Sequence, residues 1–449
     1  MKRTEVNMLS GSIFKGLLSM TIPIMIMNVM QTLFNVIDMT VLGKFADDGA
    51  VGAVGVCGTL ITMCTSLLIG ISAGANVIIA RHLGEKDPES TEEAVSTAIL
   101  FSFVGGIVLM ILGISCAEIL LKWTNCPDDL LSMATLYFRL YFLGAPVILL
   151  YNFSASILRA AGDTKRPMYF LLFGGVVKVL LNLCCVTLFD MTVEGVAIAT
   201  IVSNAIAGGL AFRTVLGMKD KLHFSLKKLK FYPTELKQIL YMGIPTGLQS
   251  ALYSLANTVI VTAVNSFGPD ATTGVSIANQ FDGILYQISY APSLATIPYI
   301  AQNIGAGNLK RAKQTVVRAI LITVAFGATF GMLSAVFSGQ LSSLMSTTPA
   351  VIQFSQQKMI IVSSTYFICG INEVMGGTLR GMGKPILPTI ATLLFMCAIR
   401  FVWVYLIFPL YPNLSFLYLI WPIGWTLSII MLVIAFVPTM AKLQKKLAK

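Results

Sequence analysis

The chain reads as long apolar runs broken by short polar turns. The first run, GLLSMTIPIMIMNVMQTLFNVIDMTVLG, extends from Gly16 to Gly43. At about 1.5 Å of rise per residue, a helix of that length exceeds the roughly 30 Å hydrocarbon core of a bilayer. Eleven more runs follow, and the pattern predicts helices at 15–40, 51–78, 94–118, 131–156, 168–189, 193–215, 239–264, 275–300, 315–338, 354–378, 385–409 and 416–439. The tightest turn is Phe189–Val193, where Asp190 and Glu194 mark the reversal. The expected fold class is an all-α polytopic membrane protein with twelve transmembrane helices in two pseudo-symmetric six-helix lobes.

Composition agrees with that pattern. Of 449 residues, 56% are hydrophobic and 11% charged, with a mean hydropathy of +0.81, whereas soluble domains carry roughly 25% charged residues. No cleavable signal peptide is expected, because the first run is too long for one and many more follow it. The net charge of +11 would suggest nucleic acid in a soluble protein. Here 24 of the 31 Lys and Arg fall in alternate turns or the tail, among them Arg81, Arg159, Arg213, Lys227, Lys228, Lys230, Arg311, Arg380 and Lys445. Lys44, Lys122 and Lys358 fall on the opposite side. The bias places both termini in the cytoplasm and assigns the charge to membrane topology, with no nucleic-acid partner. The eight cysteines lack CxxC spacing and read as small hydrophobes.

The sequence also repeats. Pro23, Asn35 and Gly52 recur as Pro245, Asn257 and Gly274 at an offset of 222, and Arg159, Gly162 and Pro167 recur as Arg380, Gly383 and Pro388 at 221. Residues 1–215 and 238–449 are therefore expected to form an N-lobe and a C-lobe, joined by a basic cytoplasmic linker at 216–237. Six spans in each half imply lobes related by an axis along the membrane normal. Within the linker region, Phe224, Leu226, Leu229 and Phe231 allow an amphipathic element on anionic lipid, or a plain linker.

Few side chains inside the spans can handle an ion or a polar solute. Asp38 stands out, because a carboxylate within or near the hydrocarbon layer needs a wet cavity, a cation or another polar group. Asn28, Asn35, Asn152, Lys178, Asn182, Thr200 and Asn204 accompany it in the first half. Gln249, Asn257, Asp282, Gln287, Asn372, Glu373 and Arg400 occupy the second. The buried acids are not repeated: Asp38 corresponds to Ile260, Asp282 to Leu60 and Glu373 to Asn152. Methionine and aromatic side chains, including Phe34, Met63, Tyr253, Phe281 and Tyr286, would make an adaptable cavity wall. Nucleotide-binding and HExxH motifs are absent, and both histidines, His82 and His223, are expected in cytoplasmic loops. No enzyme activity, cofactor or metal is expected. An ion gradient is the remaining source of energy for uphill transport.

The proline-bearing starts at Pro23 and Pro245, FADDGAVGAVG after the first span, and the paired turns AQNIGAGN and ILRAAGD/TLRGMG resemble the multidrug and toxic compound extrusion (MATE) transporters of the bacterial DinF- and NorM-like kind. The resemblance covers essentially the whole chain. It implies a MATE fold with two lobes around a central cavity, working by alternating access as a monomer in the cell membrane. It further implies export of small amphipathic, often cationic compounds in exchange for H⁺ or Na⁺, with contact to membrane lipid. Asp38 matches the family's first-helix acid, Asn182 its fifth-helix asparagine and Thr200 its sixth-helix threonine. Asn35 is a further expected neighbour of the ion site, and Pro23 is expected to bend the first helix. A second acid four residues after the asparagine is replaced by Val186, which favours H⁺ over Na⁺ because Na⁺ prefers several hard oxygens. Asp282 and Glu373 do not coincide with the family's C-lobe acids and stand as secondary candidates with Asn152, Asn257 and Gln287. Two other readings are a flippase for lipid-linked or polysaccharide precursors and a receptor or scaffold that does not transport.

Overall fold

The computed structural model describes residues 5–46 and 48–447, excepting the side chains of 48, 228, 254, 255, 446 and 447. Lys2, Arg3 and Lys449 of the charge pattern, and the side chains of Lys228 and Lys446, lie outside the described residues. In the first half the helices are α1 (Ile13–Phe45), α2 (Asp48–Glu85), α3 (Pro88–Trp123), a bent pair α4 (Asp128–Leu143 with Ala145–Ala160), α5 (Lys165–Leu188) and α6 (Val193–Gly217). In the second half they are α7 (Pro233–Asn265), α8 (Pro269–Gly305), α9 (Leu309–Val336), a bent pair α10 (Pro349–Ser363 with Tyr366–Gly381), α11 (Ile386–Leu410) and α12 (Leu414–Tyr418 with Ile420–Leu447). Among the described residues, nine helices are each long and apolar enough to cross a membrane, and the bent pairs raise this to eleven. The 37-residue α8, less apolar and continuous through Pro292 and Pro298, is the twelfth.

The repeat is visible in the backbone. Both bent pairs turn by 46°. At the ends of α4 and α10, Gly162 and Gly383 adopt φ of 88° and 79°, a region that glycine enters without Cβ strain. Their amides donate to Arg159 O and Arg380 O at 3.0 and 2.9 Å, and the next residues donate to Leu158 O and Leu379 O. These bonds close otherwise unpaired carbonyls at the helix ends. The starts of α3 and α9 repeat too. The Asp87 side chain accepts from Ser90 N, and the Asn308 side chain from Arg311 N, both at 3.1 Å. Between α5 and α6, Asp190 takes φ of 50° and Glu194 accepts from the Thr192 amide and hydroxyl.

The described chain packs as two compact units, and their limits differ from the lobes expected at 1–215 and 238–449. One holds Val29–Gly247 with the few residues before Asn7; the other holds Asn7–Asn28 with the chain from Leu248 onward. Within the second unit, Arg311 donates to the carbonyls of Met8, Ser10 and Gly11, and Asn303 donates to Met8 O. Within the first, Gly70 and Gly74 of α2 meet the α7 backbone at Gly247, Ile239 and Gly243 so closely that no Cβ fits. Facing GxxxG segments of this kind let helix backbones touch. Helix α1 runs unbroken through Pro23.

One loop expectation is corrected. His82 is buried within α2, which continues to Glu85, and its ring nitrogens face Glu85 and Glu235 at 3.1 and 3.0 Å. In the linker Leu226 is exposed, whereas other groups turn to the protein. Phe224 is buried, Lys230 N donates to Ser96 Oγ and Tyr232 N to Thr97 Oγ1, strapping the segment to α3.

Candidate functional site

Glycines bring the polar residues of the first unit together. On α5, a Cβ at Gly175 would overlap the Phe34 ring of α1, and one at Gly174 would lie 2.8 Å from Ser203 O of α6. One and two turns further along α5 stand Lys178 and Asn182, on one face because they are four residues apart. Both reach Asp38 of α1. Lys178 Nζ lies 2.5 Å from Asp38 Oδ2, and Asn182 Nδ2 donates to Asp38 Oδ1 at 3.0 Å. Asp38 is 5% exposed, Lys178 9% and Asn182 fully buried. Both carboxylate oxygens are therefore occupied by donors of the protein itself. Val186, buried, continues the same face one turn beyond Asn182.

Of the other expected members, Thr200 and Asn152 make hydrogen bonds of their own. Thr200 Oγ1 donates to Val196 O within α6, and its carbonyl accepts from Asn204. Asn35 is exposed, with no hydrogen bond to Asp38 among those described. Phe34 is buried against α5, so it is a packing residue in this arrangement. Asn152 Nδ2 donates to Ile148 O. Met63 of α2 is partly exposed.

The second unit carries its own buried charges. Lys358, expected near the outer end of its span, is 1% exposed and lies 2.8 Å from Asp282 Oδ2. Its position four residues into the run allowed a surface reading, but α10 starts at Pro349 and packs Lys358 inward against α8. It also donates to Asn279 Oδ1 and sits over the Trp421 ring. Arg400, 2% exposed, donates to Asn257 Oδ1 at 2.5 Å and stands 4.9 and 5.5 Å from the Tyr253 and Trp421 ring centres. A cavity of about 290 Å³ is lined by Tyr253, Asn257, Asp282, Tyr286, Lys358 and Trp421, with aliphatic side chains between them. Phe281 and Gln287 are half-buried on α8 beside these residues. Glu373 is bonded by Tyr286 and faces the charge of Arg380.

The sequence places Lys178 and Arg400 inside spans without naming what they face, and places Lys358 on the outer side rather than in a site. Their presence within apolar runs was the available signal. What they face depends on how helices approach, which for Lys178 the glycines of α5 help set.

Comparison with known proteins agrees with the fold. The chain is 27% identical over 390 residues to the probable multidrug resistance protein YoeA of Bacillus subtilis, covering 85% of this chain and 84% of that one. It is 23% identical to the probable multidrug resistance protein NorM of Thermotoga maritima, covering 86% and 84%. It superposes with a TM-score of 0.89 on an outward-facing multidrug resistance MATE family transporter of the MOP superfamily, at 19% identity and covering 99% and 100%. The MatE family model matches twice, at residues 23–184 and 245–406, which reproduces the offset of 222. With both halves matched and twelve membrane helices in place, the chain belongs to the MATE family of integral membrane transporters.

Proposed function

We propose that this transporter is a secondary active exporter of amphipathic organic compounds, cationic ones included, driven by protons entering the cell through Asp38. The observation that carries the reading is the buried Asp38–Lys178 pair. An incoming Na⁺ would have to displace an ammonium already against one carboxylate oxygen and face the amide donor on the other. A proton needs only the acid. With Val186 in place of a second carboxylate, the site lacks the anionic oxygens that would offset those repulsions.

Protonation also supplies a driving force. Neutralising Asp38 leaves Lys178 as a buried cation without its counter-charge, which costs on the order of 3–5 kcal/mol. Inverting a two-state population from 1:99 to 99:1 takes about 5.5 kcal/mol. The two magnitudes are comparable, so proton uptake favours a state in which water reaches Lys178. Deprotonation restores the pair and the dry state. A cationic substrate competes with Lys178 for the same carboxylate, which links cargo to proton. The inside location of both termini, inferred from basic turns, fits inward proton flow coupled to export.

One observation favours a second reading, a flippase for phosphate-bearing precursors: Lys358 adds a third buried cation within the spans. Proteoliposomes with separately imposed proton and sodium gradients test both. The proposal expects efflux of a cationic dye under a proton gradient alone, lost in Asp38→Asn. Dye efflux indifferent to both gradients would overturn it.

A further inference from the structure

The two repeats solve the same electrostatic problem differently. In the first unit the α5 cation Lys178 meets the α1 acid Asp38. Shifted by the offset of 222, at which the family model matches both halves, Lys178 corresponds to Arg400 and Asp38 to Ile260. Arg400 keeps the inward aim of its counterpart, donating to Asn257 of α7, which stands one turn before Ile260. No carboxylate among the described residues pairs with it. Of the nearby acids, Asp282 is held by Lys358, and Glu373 faces Arg380.

Among the described residues, this buried guanidinium meets the neutral amide of Asn257 and the rings of Tyr253 and Trp421, without the counter-charge that buried ions require. Space is present where that charge is missing. Ile260 and Asn257 line the cavity of about 290 Å³, together with Lys358, Asp282 and Trp421. The paired charges Lys358 and Asp282 border the space, and Arg400 packs against Asn257, Tyr253 and Trp421 of its wall. Helix α11 is also irregular here. Arg400 sits on the short α-helical turn Ile399–Val402, flanked by π-helical segments Leu393–Ala398 and Trp403–Ile407, a distortion common at functional sites. We infer that this cavity binds the anionic head of an organic acid, which supplies to Arg400 the counter-charge that Asp38 supplies to Lys178 in the other repeat.

The remaining wall defines the body of such a ligand. Tyr253, Tyr286 and Trp421 offer aromatic faces, and Val261 and Val264 add aliphatic surface. The volume equals on the order of ten waters at roughly 30 Å³ each, enough for a compact aromatic acid. The inference rests on the transport reading above and deepens it by naming a cargo chemistry: amphiphiles that carry an acidic group, zwitterions among them.

Calorimetric titration of the purified full-length chain with four matched probes tests this. They are 1-naphthylacetate, 1-naphthylacetamide, 1-naphthylmethylammonium and 1-naphthyl phosphate. The acetate is expected to bind at least tenfold more tightly than the amide and the ammonium. The phosphate arm assigns the acid: binding tighter than the acetate supports the site and makes phosphate monoesters its class, and weaker binding supports it with carboxylates as the class. Arg400→Gln should remove the acid's tenfold advantage while leaving amide binding unchanged. Ile260→Asp, which rebuilds the internal carboxylate of the first repeat, should remove it as well. Equal binding of acetate and amide by the unmodified protein, or preference for the ammonium, overturns the inference without reference to any variant. Asp38→Asn protein should keep the acid preference while losing coupled efflux, so failure of this site and failure of the coupling proposal are separately visible.

Discussion

At the residue scale, the two lone charges of the first unit are one object. Asp38 and Lys178 are each costly inside a membrane protein, and their direct contact, completed by Asn182, makes the burial tolerable. Removing one partner is then worse than removing both. Asp38→Asn or Lys178→Met alone should lower stability by about 3–5 kcal/mol, as for other broken buried pairs. The double substitution should recover most of that loss, giving a coupling energy well above the roughly 0.3–0.5 kcal/mol scatter of independent sites. Thermal unfolding of the four proteins in detergent measures the cycle; additive losses would show that the contact contributes nothing. The same pair changes the expectation for Val186. An added carboxylate there meets a site already holding an ammonium, so Val186→Asp alone should not confer sodium dependence. Combined with Lys178→Ala it should, as read by efflux under a sodium gradient.

At the scale of elements, close helix contacts decide which polar residues meet. The facing glycines of α2 and α7 leave no volume for a side chain. Gly74→Val should therefore destabilise by more than the about 1–3 kcal/mol of ordinary overpacking, because backbone must move. Gly209→Ala on α6, where a Cβ meets open space, should be neutral or stabilising by up to about 1 kcal/mol. Melting temperatures of the two variants should thus move in opposite directions or only the first should move. The α3 cap offers a pH-dependent test outside the membrane spans. Hydrogen bonds from the Ser90 hydroxyl and amide hold the Asp87 carboxyl below the usual carboxylate range. Its stabilising contribution is present above that range and fades as pH falls through the lowered folded value. Asp87→Ala should cost about 1 kcal/mol at neutral pH, and the difference from the unmodified protein should shrink on acidification. These elements were partly legible in the chain. The twelve apolar runs, the turn at Phe189–Val193 and the glycine turns after Arg159 and Arg380 follow from hydropathy and local backbone chemistry. The burial of His82 and Phe224 does not, because it depends on α2 continuing past the apolar run and on hydroxyls of α3 that capture the linker.

At the scale of the molecule, a duplicated frame carries unequal chemistry. The offset of 222 is readable from prolines, glycines and asparagines, since those residues set bends and turns that both halves need. The candidate sites are only half readable. Asp38 announces itself as an acid in a run of hydrocarbon, and Asn182 enters through resemblance to the family. Lys178, Lys358 and Arg400 are visible as letters, yet the carboxylate or cavity each one faces is set by tertiary packing. That packing gives the first unit the closed pair Asp38–Lys178, and the second the closed pair Lys358–Asp282 with Arg400 behind the cavity wall. The central claim is that proton entry through Asp38 drives export. Its most direct test is efflux of a cationic dye from proteoliposomes under a proton gradient alone, a sodium gradient alone, or neither, comparing the unmodified chain with Asp38→Asn. Efflux should follow the proton gradient at least tenfold faster than the other two conditions, and the substituted protein should leak dye equally in all three. Near-normal proton-driven efflux by Asp38→Asn, or efflux that follows sodium instead, would contradict it.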